Sequence, residues 1–196
     1  MCYFARFTIH EGHQFRLDTR IYLCESDEPS ADDRCVAAIV GKNPGSANPT
    51  ELDRLTRLSL DGDKLLPSVR NRFLAAYERA GVRMPRGGFI RVWNLVYLCN
   101  HRLKDAIAAF RAVRKPLFCN TEEAIPRIVW FAWGPPNPDL QPFTKRFLNR
   151  TFEHPFYYDM DAGAIVPGVP VVTSRVKHTQ GLPAKAVEKH LAGLIG

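Results

Sequence analysis

The chain has 196 residues, 45% hydrophobic and 24% charged, which is ordinary for a globular protein and enough to bury the core of one domain. Lys and Arg number 27 against 20 Asp and Glu, a formal net charge of +7, and a positive field of this size favours nucleic acid or nucleotides as partners. No run approaches the roughly 20 apolar residues of a membrane span, and Met1-Cys2-Tyr3-Phe4-Ala5-Arg6 lacks the basic and apolar regions of a secretion signal, so a cytoplasmic protein with no membrane partner is expected.

Residues 1–24 read as a hairpin. Tyr3, Ala5, Phe7 and Ile9 alternate with more polar neighbours, as do Phe15, Leu17, Thr19, Ile21 and Leu23, with His10-Glu11-Gly12-His13 between them as the turn. A polar stretch, 25–34, leads into the core, 35–196. Four apolar runs rich in β-branched or aromatic residues follow: Cys35–Val40, Phe89–Val96, Arg127–Trp133 and Val169–Thr173. Pro167 and Pro170 beside the fourth run suit an edge strand.

Helical patterns separate the runs. Ser68 is placed to cap a helix carrying Val69, Phe73, Tyr77 and Ala80 on one face, and Gly81 is placed to end it. Leu103 to Val113 and Leu140 to Asn149 predict further helices, and Val187, Leu191 and Leu194 recur at helical spacing after Pro183. Strands alternating with helices predict one three-layer αβα domain over 1–196, with a short, mostly parallel four-stranded sheet plus the hairpin. In such sheets ligands bind outside the carboxyl ends of the strands.

The residues just after each run are therefore the candidates. Lys42-Asn43-Pro44-Gly45-Ser46 follows the first; its prolines and glycines fix a tight backbone, and Asn43 is a neutral donor and acceptor suited to orienting a water or reading a base edge. Asn94, inside an apolar strand, needs either a structural partner or a ligand. Trp133-Gly134 opens a rigid, proline-rich loop that offers a stacking surface. Arg175, Lys177, His178, Thr179 and Gln180 precede the final helix, whose N-terminus favours anions; His178 suits a hydrogen bond to a departing negative charge, with Lys42, Arg175 and Lys177 near phosphates. Arg70, Arg72 and Arg79 read as a solvated helix face or as phosphate contacts.

Other chemistries find less support. Cys2, Cys24, Cys35, Cys99 and Cys119 are an odd, widely spaced set without a C-x-x-C pair, which reads as reduced core cysteines rather than disulfides, zinc or an iron–sulfur cluster. There is no G-x-S-x-G elbow and no phosphate-binding G-x-x-x-x-G-K-S/T run. Acidic residues are scarce near the strand ends, as a metal-dependent nuclease would need them. No metal and no cofactor is expected.

In order along the chain, Asn43-Pro44-Gly45-Ser46-Ala47, Asn94-Leu95-Val96, Ala132-Trp133-Gly134 and Thr179 with Gly181 and Pro183 resemble the N-P-S-T-A, N-L-F, A-W-G and T-x-x-G-x-P motifs of a family of uncharacterised bacterial and phage proteins. Phe15-Arg16-Leu17 is similar to that family's approach to its first motif, while Gly45 stands where Ser is typical and Lys185-Ala186 where His-Pro is typical. A more distant resemblance runs to the uracil-DNA glycosylase superfamily. Gly41-Lys42-Asn43-Pro44-Gly45 is similar to its G-I-N-P-G motif, Val92-Trp93-Asn94-Leu95-Val96 to its T-N-V-V strand, and His178 falls at its H-P-S loop without the Pro and Ser.

That resemblance implies a glycosylase-like fold, a water oriented by Asn43, a base read by Asn94 and a leaving group stabilised by His178. Binding of nucleic acid or a nucleotide base, with or without excision, is the leading expectation. A small-molecule nucleoside-processing enzyme and a non-catalytic partner-binding module remain open beside it.

Overall fold

The computed structural model describes residues 2–45, 51–60 and 63–196. Strands β1 (Tyr3–His10) and β2 (His13–Tyr22) pair antiparallel around Glu11-Gly12, whose φ angles are 47° and 75°. Two successive left-handed residues give a turn whose twist matches that of the strands it joins. Asp18, at φ 44°, then breaks the alternation along β2. Leu17 faces Arg6 but Arg20 faces Phe4, so β2 carries one residue more than β1 between these pairs. The bulge exchanges faces: Phe15 and Leu17 enter one buried cluster, Ile21 and Leu23 the other.

The rest of the sheet comprises β3 (Cys35–Gly41), β4 (Leu55–Arg57), β5 (Phe89–Asn94), β6 (Ile128–Phe131), β7 (His154–Asp159) and β8 (Ala164–Pro167). The spatial order is β4-β1-β2-β5-β3-β6-β7-β8. Strands β5, β3, β6 and β7 run parallel; β2 joins β5, β1 joins β2, β4 joins β1 and β8 joins β7, all antiparallel. The sheet is thus mixed and eight-stranded, which corrects the expected short parallel sheet of four. The physical reason is that β2 presents an edge of unpaired backbone groups, and β5 satisfies it over Thr19–Tyr22.

A second correction concerns the fourth strand. Residues 169–173 form no strand, and Val171 is 65% exposed. Its place beside β6 belongs to β7, whose Phe156, Tyr157 and Tyr158 are buried, and Pro167 closes the edge strand β8.

Helices α1 (Leu65–Ala80) and α4 (Ala184–Ile195) cover one face, and α2 (Leu103–Ala112) and α3 (Gln141–Leu148) the other. Helix α1 begins before Ser68: Asp63 Oδ1 accepts the N–H groups of Leu65 at 2.8 Å and Leu66 at 3.3 Å, and Gly81 ends the helix at φ 65°. Pro183 caps α4 rather than entering it. Strand period two sorts the core: Ala37, Ile39, Ile90, Val92, Ile128 and Trp130 pack towards α1 and α4, and Ala38, Val40, Trp93, Val129 and Phe131 towards α2 and α3.

Phe7 of the hairpin lies in the same cluster as Leu66, Phe73 and Leu191. Phe7→Ala should therefore cost about 3–5 kcal/mol of global stability. In urea the whole chain should unfold earlier in a single transition; melting of residues 2–24 alone would show the hairpin to be independent.

Candidate functional site at the ends of the central strands

Asn94 closes β5, and the alternation that sends Val92 towards α1 and α4 sends its side chain the same way. It faces Gly41 in register, and a Cβ at Gly41 would lie 3.2 Å from Asn94 Oδ1, so glycine keeps room beside the amide. Asn94 is 2% exposed, and its Nδ2 is sealed from solvent without a hydrogen-bond partner among the described residues. An unsatisfied buried amide donor costs roughly 1–3 kcal/mol.

The end of β5 is held from the opposite face. Glu122, 3% exposed, accepts from Arg146 Nε at 2.8 Å and from Arg146 Nη2 at 3.1 Å. Tyr97 donates its hydroxyl to the same carboxylate at 2.6 Å; burial, then the Glu122 charge, pushes the phenol well above its usual range, so it remains a donor. The Arg146 guanidinium also donates to the carbonyl oxygens of Asn94 at 2.6 Å and Leu95 at 3.2 Å, and Arg150 donates to Glu122 O at 2.8 Å. These charged bonds fix the backbone that carries Asn94.

The first strand-end loop meets the second. Leu95 N–H donates to Gly41 O and Val96 N–H to Lys42 O, while Asn43 Nδ2 donates to Asn100 O at 2.8 Å. Asn43 thereby spends one donor on joining the loops, and its Oδ1 has no protein donor among the described residues. Pro44 is buried, Gly45 turns at φ 74°, and Ser46 lies outside the described residues. Lys42 reaches across Gly134: a Cβ there would lie 2.6 Å from Lys42 Cε, and Gly134 stands at φ 89°. Burial lowers the Lys42 pKa.

His178 lies within the electrostatic reach of Lys42 and of Asp63. Burial, then Lys42, lowers its pKa from the ordinary 6.5, with Asp63 opposing. Gln180 N–H donates to His178 Nδ1 at 3.4 Å, which leaves the proton of the neutral ring on Nε2. Thr179 beside it is buried, its Oγ1 without a partner among the described residues; the Gln180 side chain is exposed. Gly41 meets Asn94, Lys42 meets Gly134 and acts on His178, and Thr179 follows His178, so these residues stand together at the carboxyl ends of β3, β5 and β6, here termed the strand-end cleft.

Trp133 and Arg175 lie elsewhere. Trp133 packs on Phe131 and Phe147 in the opposite cluster, and with Leu95, Pro136, Leu140 and Val172 it lines an apolar cavity of about 460 Å³. Arg175 stands at its rim, already paired with Asp161 at 3.0 Å. Lys177 is held through its backbone N–H to Tyr158 O. The helix arginines are largely structural: Arg70 donates to Tyr22 O and Leu23 O, and Arg72 pairs with Glu188 at 2.7 Å. Of the cysteines, Cys2 and Cys119 are buried and Cys24 is exposed.

Two residues near the site are not among the candidates read from the sequence. Arg16 is a buried cation of β2, and Asp63 caps α1 beside the cleft. The local signal for Arg16 was its place between Phe15 and Leu17 in the hairpin strand, where an arginine ordinarily faces solvent. Among the described residues no group of three His, Cys, Asp or Glu side chains is arranged to hold a metal ion, and no helix is long and apolar enough to cross a membrane. No protein-family model, curated protein or solved structure matches the chain.

Glu122→Ala leaves Arg146 buried without its carboxylate and should cost about 3–5 kcal/mol, read as a lower urea midpoint. His178 binds a proton less readily folded than unfolded, so its contribution to stability is complete above the unfolded value of 6.5 and is lost as pH falls through 6.5 towards the folded pKa. An NMR titration should place the His178 midpoint below 6.5, and His178→Gln should flatten the stability profile in that window. A midpoint at or above 6.5 would remove the burial argument.

Proposed function

We propose that the chain binds a nucleobase, as part of a nucleotide or nucleic acid, in the strand-end cleft, and that the fitting chemistry is hydrolysis of the N-glycosidic bond. The observation that carries this is Asn94: a buried amide at the end of a parallel strand whose Nδ2 has no partner among the described residues. An amide offers a donor and an acceptor side by side, the pattern that reads the edge of a base. Buried donors of this kind are ordinarily satisfied, and in this reading the ligand completes this one once the side chains that seal it make room.

The neighbouring groups fit the same reaction. In this reading Asn43 Oδ1, which has no protein donor among the described residues, accepts a hydrogen bond from water and holds it toward the sugar carbon. The water oxygen joins C1′, the C1′–N electron pair leaves with the base, and the base takes up the released proton. The Nε2–H of neutral His178 donates to the oxygen on which the departing base carries its charge. Lys42 keeps the local potential positive for that charge. The net charge of +7 suits a polyanionic or phosphorylated substrate.

The test is alkaline strand cleavage of single-stranded and duplex oligonucleotides carrying uracil, hypoxanthine, xanthine or a G·T mismatch. Wild type should release abasic product from at least one of them. Asn43→Ala should lower the rate about 100-fold or more through loss of water positioning, and Asn94→Asp should change which base is accepted. Wild type that neither cleaves nor binds any of these strands, at low salt as at physiological salt, and that ignores free bases, would overturn the proposal.

A further inference from the structure

The least explained group in the described structure is Arg16. It is 3% exposed, and its Nε and Nη1 are sealed from solvent without a partner among the described residues. A buried guanidinium normally comes with a carboxylate or phosphate, because desolvating it alone is costly. Here no carboxylate lies within ion-pair distance of it among the described residues. The acidic groups within its electrostatic reach are the Cys99 thiol and then Asp63, whose Oδ1 is already taken by the N–H groups that open α1.

The orientation of Arg16 brings it to the cleft. Phe15 and Leu17 point into the α2 and α3 cluster, so Arg16 between them points to the α1 and α4 side. Its register partner Phe7 lies in that cluster too. The strand that carries it runs beside the continuation of β5: Arg16 N–H donates to Tyr97 O at 3.0 Å and Cys99 N–H donates to Gln14 O at 2.8 Å. Cys99 leads to Asn100, whose carbonyl holds Asn43. Asp63, in turn, is felt by both Arg16 and His178, which sets both side chains near the start of α1. Lys42, half-buried and without an ion pair among the described residues, adds a further positive charge. Thr179 adds a buried hydroxyl with no partner among the described residues.

We propose that Arg16 is the anchor of an oxyanion subsite in this cleft, and that it takes the phosphate group attached to the nucleoside whose base Asn94 reads. This rests on the base-binding proposal and names the substrate class: a phosphorylated nucleoside rather than a free base or an unphosphorylated nucleoside. The guanidinium presents donors in a planar fork that matches phosphate oxygens, and burial strengthens each bond. A terminal phosphate of a free nucleotide and a phosphodiester of a strand share this chemistry.

Calorimetric titration of the full chain with inorganic phosphate, with nucleosides, with the corresponding 5′-monophosphates and with dinucleotides separates these cases. Wild type should bind a monophosphate at least tenfold tighter than its nucleoside. Arg16→Met should erase that ratio while melting no lower than wild type without ligand, since an unpaired buried charge is replaced by an apolar chain of similar length. Arg16→Lys should keep part of the ratio. Equal affinity for nucleoside and monophosphate in wild type overturns the subsite whether or not the Met variant folds, and so does a ratio that survives Arg16→Met.

A dinucleotide that gains as much as the monophosphate would assign the anion to a strand, and one that gains nothing would assign it to a free nucleotide. Asn94→Asp keeps the two proposals apart. Phosphate binding that persists through Arg16 with no preference among bases would sink the base reading alone. Base binding with no phosphate gain would sink the Arg16 subsite alone.

Discussion

The buried contact between Glu122 and Arg146 decides where the strand-end site stands. A carboxylate at 3% exposure is tolerable only because two arginines and a tyrosine surround it. Arg146 then uses its remaining donors on the carbonyls of Asn94 and Leu95, where β5 stops being a strand. The ion pair therefore couples α3, the 3-10 turn at Asn120–Glu123 and the end of β5 into one rigid body. The polar side chain of Asn94 is presented on the far face of the same backbone, and a position fixed in this way is what recognition of a planar ligand requires.

The sheet divides the strand-end region into two environments. On the α1 and α4 side lie Asn94 and Arg16, with Asp63 as a nearby acid, and Lys42, Asn43, His178 and Thr179 on the loops that follow the strands add donors and cations. On the α2 and α3 side lies an apolar cavity bounded by Trp133 and the proline-rich loop. Period two along β5 and β6 produces this division, because adjacent residues such as Asn94 and Leu95 must face opposite ways. Gly41 and Gly134 hold the polar side open: a side chain at either would press on Asn94 Oδ1 or Lys42.

Charge on the polar side is arranged by burial. Lys42 and His178 are both made less basic by loss of water, and Lys42 adds to the effect on His178. A neutral imidazole with its proton on Nε2 is a donor that does not need to lose a charge after it acts. The same desolvation makes Arg16 expensive to bury and strengthens whatever anion meets it.

Local pattern determined much of this protein. Alternation and the Glu11-Gly12 turn gave the hairpin, β-branched runs gave β3, β5 and β6, and Gly81 marked the end of α1. The candidate loops, too, were legible, because glycine, proline and isolated asparagine stand out against apolar strands. Tertiary structure alone decided the rest. The Asp18 bulge turns β2 over by one residue, β5 takes the hairpin into an eight-stranded sheet, and β7 occupies the place expected of 169–173. Trp133 and Arg175 fell on the other side of the sheet from Asn94, while Arg16 came in from a segment far earlier in the chain. Periodicity reports which face of its own element a residue occupies; strand order and packing decide what covers that face, and these depend on contacts between residues distant in sequence.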